Sequence, residues 1–338
     1  TETPEVYKNY ISLGLYRNKI LHLFSQEALW AMAFYACVNN NKNQVNGNNG
    51  ASTGARHNSS NTLKITEASL PINSLLKDVL FLDKLLSLEF VRDRSNYKDD
   101  HEREKEHMEV LFKMIDNGTF NLKNGFSNAF PSTSTISNNE HNESGGGIIM
   151  TSTDSGNTIA ATQRPTTFIN DLKTLGSISI NSEGERMFGF LCSIMWPFID
   201  GYYTSSLCLN ALLPHMKMET NSLIERAQWL TETMFNDGHI EYYEACASNT
   251  ISNAIASFQL LDGLTKSISN DDNNKENDMG GDDLLKLHDI YNNEDGLQSF
   301  VEQINYFRKL SSSGSHGEGK SIQSNASFPM LAKQVTNS

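Results

Sequence analysis

The sequence is short of apolar residues: 38% of its 338 positions are hydrophobic, against roughly 45–50% apolar in ordinary globular chains, and mean hydropathy is −0.44. The deficit is uneven. Compact apolar segments alternate with stretches of Asn, Ser, Gly, Thr and Asp, which bury too little surface to offset the entropy of ordering them. Asparagine alone supplies 37 residues. Cysteine is scarce too: Cys37, Cys192, Cys208 and Cys246 form no C-x-x-C pair, and three lie in apolar or helical surroundings. That argues for reduced, buried thiols in a non-secreted protein rather than a disulfide framework. Basic charge is also lacking, with 27 Lys and Arg against 40 Asp and Glu and a net charge of −13. A nucleic-acid binder needs a basic footprint to displace counterions, and no Lys/Arg stripe is present, so nucleic acid is not expected as a partner.

Several catalytic signatures are missing as well. There is no Gly-x-Ser-x-Gly elbow, no Walker loop and no Rossmann glycine triplet. None of the nine histidines stands in an H-x-x-x-H or H-E-x-x-H pairing, so no metal site is expected. The chain starts at Thr1 without a Met and without a signal-like segment, which leads to the expectation that the whole protein is longer.

What the sequence does have is helical periodicity. Leu13, Tyr16, Ile20, Leu23, Phe24, Ala28, Ala31, Phe34 and Val38 recur at three- and four-residue steps, predicting one long helix over roughly 7–38. Leu75, Val79, Leu82, Leu86 and Phe90 predict a second over about 72–91, and Met108, Leu111 and Ile115 a third over about 101–117 that stops at Gly118. Apolar content returns from Met187 to Pro214, interrupted by Pro197 and Asp200. A spanning helix would carry that aspartate at a cost of roughly 2.5–3.5 kcal/mol, so the segment is expected to lie against the core or a bilayer interface. Ser222 to Glu225 reads as a capping box opening a helix that ends at Gly238. Residues 240–243 read as a short strand, Ile251 to Leu261 as a helix closed by Gly263, and Leu297 to Phe307 as a final amphipathic helix. Met114–Phe120 and Met234–Ile240 echo each other as helix stops with a glycine in the left-handed position. Trp30, Trp196 and Trp229 read as core.

The expected fold is therefore all-α, a mainly helical, bundle-like region with long disordered Asn/Ser/Gly-rich insertions. The organisation expected is a first helical region over 1–120 with a low-complexity insertion at 39–69, and a linker or disordered insertion over 121–183. A second helical region follows over 184–310 with an acidic loop at 265–283, then a disordered tail over 311–338.

Tyr16-Arg17-Asn18-x-x-x-His22, within Tyr7–Leu29, resembles a segment of the glycerol-3-phosphate acyltransferase family that follows its catalytic domain. Leu76–Phe90, Glu109–Gly118, Phe190–Tyr203 and the stretch from Ile240 through Gly263 are similar to later blocks of the same family, in the same order. The resemblance implies transfer of a fatty acyl group from acyl-CoA to the sn-1 hydroxyl of glycerol 3-phosphate, in phospholipid synthesis. A close branch uses dihydroxyacetone phosphate and leads to ether lipids. It also implies a general base in an Asn-His-x-x-x-x-Asp block and an acceptor-phosphate block, Phe-x-Glu-Gly-x-Arg. Neither is here: no histidine has Asp five residues on, and Glu183-Gly184-Glu185-Arg186 lacks the aromatic and counts as coincidence.

The chain thus resembles the region C-terminal to the acyltransferase domain, and no catalytic residue is named in it. Its implied partners are the missing N-terminal acyltransferase domain and a membrane surface. No cofactor is implied, with acyl-CoA as co-substrate of the full-length enzyme. The implied location is intracellular and membrane-associated, at the mitochondrial outer membrane, endoplasmic reticulum or peroxisome. Arg17, Asn18 and His22 are the polar residues singled out, either as a structural hydrogen-bond network or as a lining on the phosphate side of the whole enzyme's site; Asn18 and His22 share a helix face at that spacing. A non-enzymatic helical interaction module is the alternative from a different class.

Overall fold

A computed structural model describes residues 21–47, 65–90, 100–123, 172–267 and 284–309. Among these the chain is mainly helical, as the periodicity requires. The helices are α1 (Ser25–Gly47), α2 (Ile72–Leu85), α3 (Asp100–Asp116), α4 (Glu185–Cys208), α5 (Thr220–Asn236), α6 (Ser248–Leu260) and α7 (Glu294–Asn305). Helix α4 is the axis of the packing: α1, α5, α6 and α7 all lie against it. Its residues from Ile199 to Cys208 are buried without a break, polar ones included. The fully apolar stretch of α1, Ala28 to Phe34, is equally buried. One continuous core joins the two helical regions that the sequence separates by 121–183.

Among the described residues, two small antiparallel sheets accompany the helices. In the first, β3 (Ser177–Ser179) lies between β1 (Ser69–Pro71) and β2 (Asn121–Lys123), with Ile178 opposite both Leu70 and Leu122. In the second, β6 (Leu284–Leu287) lies between β4 (Met218–Glu219) and β5 (Leu264–Ser267).

Several boundaries differ from expectation. Residues 7–20 of the expected first helix lie outside the described residues; a turn stands at 22–24, and α1 then runs on through the Asn-rich run to Gly47. Once a helix is nucleated, each added residue gains a backbone hydrogen bond, so a polar sequence can extend a buried helix beyond its apolar stripe. Both ends of the 121–183 segment belong to the fold: β2 opens it, and a helical turn at 172–175 and β3 close it, with Leu172, Ile178 and Ile180 in the core. Part of the acidic loop is strand, since 264–267 and 284–287 pair. Helix α5 starts at Thr220, before the expected capping box, and its N-cap Glu219 makes no side-chain cap. A 3-10 turn, Tyr243–Cys246, replaces the strand expected at 240–243. The tail over 311–338 lies outside the described residues.

The helix-stop echo is real. Gly118 and Gly238 adopt φ of 78° and 74°. Phe120 N–H reaches the Met114 carbonyl at 3.1 Å, and Ile240 N–H reaches the Met234 carbonyl at 3.4 Å. This wraparound satisfies orphan carbonyls and buries the next apolar side chain, here Phe120 and Ile240. At the end of α6 the left-handed residue is Asp262, not Gly263. Gly263 is required for close approach instead, since a Cβ there would lie 3.1 Å from the Phe300 ring.

Candidate functional site

A cleft of about 760 Å³ lies among the described residues. Leu21 and Phe24, in the turn that precedes α1, form one edge. Phe190, Ile194, Pro197 and Phe198 on α4 form its floor. The opposite side comes from Gln228 and Glu232, four apart on α5, and from Tyr242, Tyr243 and Glu244. Local sequence explains the shape. Pro197 inside α4 removes a backbone donor from the helix ladder. One turn later, Gly201 lets α4 approach the Ala245 carbonyl and Thr250, each 2.9 Å from where a Cβ would stand. Phe24 meets Phe190 edge-on at 5.5 Å, fixing the turn to the helix. Among the described residues the lining is mostly apolar, with the carboxylates of Glu232 and Glu244 and no Lys, Arg or His.

Behind the cleft, a charged clamp crosses α4. Arg308 Nε donates to Asp200 Oδ1 at 2.7 Å and its Nη2 to the His239 carbonyl at 3.1 Å. Its guanidinium also lies 4.1 Å from the Tyr203 ring centre. Burial pushes the Asp200 carboxyl up, and Arg308 opposes that shift. Lys309 Nζ pairs with Glu241 at 2.6 Å and lies 5.1 Å from the Trp196 ring centre.

A histidine and a carboxylate also meet in the interior. His107 Nε2 is 3.6 Å from Asp83 Oδ2, Arg103 Nε is 4.0 Å from the same oxygen, and Trp30 Nε1 donates to the His107 carbonyl at 3.0 Å. His107 is 2% exposed. A general base has to come within hydrogen-bond reach of its substrate, and this imidazole is closed in by the core. Among the described residues, no group of three or more His, Cys, Asp or Glu is placed to hold a metal ion. None of the four cysteines forms a disulfide. Burial raises the thiols of Cys192, Cys208 and Cys246, the last to about 11, which suits packing rather than nucleophilic chemistry.

Of the residues singled out from sequence, Arg17 and Asn18 lie outside the described residues. His22 stands exposed in the turn before α1, where its carbonyl accepts from Ser25 Oγ at 3.0 Å. Its neighbours Leu21 and Phe24 edge the cleft. Glu183 to Arg186 opens α4, where Gly184 faces the Thr119 carbonyl at a distance no side chain would allow, and Arg186 is exposed. Trp30 is core, but Trp229 is 50% exposed and not core as expected. It sits on the outer side of α5, where nothing in the apolar count distinguishes it from Leu230. Sequence reasoning missed the cleft and the clamp because both join residues far apart in the chain. The interrupting Asp200 was the one signal available, since a charge in an apolar run needs a partner.

Residues 4–267 match a family model described as glycerol-3-phosphate acyltransferase C-terminal region. No curated protein matches the chain.

Proposed function

Because the chain belongs to the family of glycerol-3-phosphate acyltransferase C-terminal regions, we propose that it is the non-catalytic supporting part of an enzyme that moves a fatty acyl group from acyl-CoA to the sn-1 hydroxyl of glycerol 3-phosphate. The observation that carries this reading is the burial of His107 with Asp83, a histidine–carboxylate pair closed off in the core, where no substrate can reach it. The sequence independently lacks the family's His-x-x-x-x-Asp block. In this reading the chain braces the acyltransferase domain of the same enzyme, and Asp200 with Arg308 keeps the bracing helices in register. Among the described residues no helix is long and apolar enough to cross a membrane; in this reading the chain meets a membrane by its surface.

The test is to express the acyltransferase domain separately, with and without this chain. Co-elution of the two, with acyl transfer restored only in the pair, is the expected result. Full activity of the acyltransferase domain alone, with no association, would refute the supporting role.

A further inference from the structure

Four consecutive residues after α7 are anchored to different parts of the fold. The Tyr306 hydroxyl donates to Asp78 Oδ2 of α2 at 3.3 Å, and the Tyr306 carbonyl accepts from Asn40 Nδ2 of α1 at 3.5 Å. The Phe307 ring stacks on Phe81 of α2 with centres 5.8 Å apart. Arg308 holds Asp200 of α4 and the His239 carbonyl. Lys309 Nζ pairs with Glu241 and donates to the Tyr242 hydroxyl at 3.4 Å. Asp200 in turn accepts from the Glu241 backbone N–H. Arg308 and Lys309 therefore grip 239–242, the stretch that leads into the cleft wall of Tyr242, Tyr243 and Glu244. Tyr306 and Phe307 grip α1 and α2, which lie away from the cleft lining.

We infer that Tyr306–Lys309 is a strap that holds the 239–244 wall of the cleft against α4, so that unseating it from α2 widens the cleft. Four residues reach at most about 14 Å when extended, and these are turned rather than extended, so the strap has no slack and its two ends move together. Charge-assisted bonds from Arg308 and Lys309 hold the wall end strongly. The α2 end rests on a phenol bond and a ring stack, weaker contacts from which a local opening can begin. The coupling is reciprocal: anything that fills the cleft and needs the wall further out loosens the strap. The inference does not depend on the acyltransferase role.

Cysteine labelling of the intact chain with N-ethylmaleimide, resolved by peptide mass spectrometry, tests it. Cys246 lines the cleft and is 5% exposed, while Cys192 is fully buried in the core and reports global unfolding. Tyr306→Phe removes the bond to Asp78 at the end of the strap remote from the cleft. Labelling of Cys246 is expected to accelerate about two- to tenfold, the loss of one hydrogen bond, while Cys192 keeps its rate. Lys309→Met, at the near end, is expected to act in the same direction. Acceleration in Lys309→Met with no change in Tyr306→Phe overturns the inference, because the wall would then depend on its direct contacts alone. No change in either variant overturns it too, as does parallel acceleration of Cys246 and Cys192, the mark of a general loss of stability. Amide exchange is the independent readout: in Tyr306→Phe it is expected to rise over 239–246 while 28–34 stays protected. Unchanged exchange over 239–246 contradicts the strap.

Discussion

Arg308 and Asp200 are 108 residues apart and meet at 2.7 Å in the middle of the fold. Asp200 is 4% exposed and lies in the C-terminal half of α4, while Arg308 follows the end of α7. A carboxylate in that position is tolerable because a guanidinium reaches it and the Tyr203 ring supports the guanidinium from below.

Removing one partner of such a pair is costlier than removing both, because the survivor is left buried and uncompensated. Arg308→Ala is expected to lower stability by about 3–5 kcal/mol, and Arg308→Ala/Asp200→Asn to recover part of that loss. Urea unfolding midpoints measure both. A double variant no better than the single one would mean that the lost packing on Tyr203, not the charge, dominates.

How much of this was legible in the sequence depends on separation along the chain. Each helix with a three-and-four apolar rhythm was readable, because its signal lies within a dozen residues. The stops at Gly118 and Gly238 were readable for the same reason. Strands of two to four residues are too short to show alternation, and β1 pairs with β3 across more than a hundred residues. The continuation of α1 to Gly47 was not readable, because asparagine gives no apolar rhythm. The cleft needs a turn at 22–24, a proline and a glycine on α4, and the 242–250 segment to come together, a juxtaposition that no local pattern records.

The two left-handed glycines allow a clean comparison. At Gly118 and Gly238 a Cβ would meet nothing within 4 Å, so substitution by alanine costs only the backbone conformation, about 1–2 kcal/mol. Gly201→Ala is expected to cost more, since its Cβ would stand 2.9 Å from the Ala245 backbone carbonyl. Thermal unfolding of the three variants should rank Gly201→Ala as the least stable. Equal stabilities would contradict the close approach of α4 to the 243–250 segment that shapes the cleft.

Glu89 gives the fold a pH dependence. Burial pushes its carboxyl from 4.5 up to about 7, with hydrogen bonds from Asn253 and Tyr202 opposing the shift. The native state therefore holds a proton that the unfolded chain has released, and stability falls as pH rises from about 4.5 to about 7. Asp78, pushed by burial from 3.8 to about 6, acts in the same direction. Glu89→Gln is expected to flatten the fall in melting temperature across that window. A variant whose melting temperature declines as steeply as the parent's would show that Glu89 is solvated.

We propose that this chain supports acyl transfer without performing it. General-base catalysis contributes about 10²–10⁴-fold, and it needs an imidazole that the acceptor hydroxyl can reach. The most direct measurement is incorporation of radiolabelled acyl-CoA into lysophosphatidate by the purified chain supplied with glycerol 3-phosphate. The account predicts incorporation at background. Turnover above background that disappears on His22→Ala or His239→Ala would contradict it, by placing a working base on this chain.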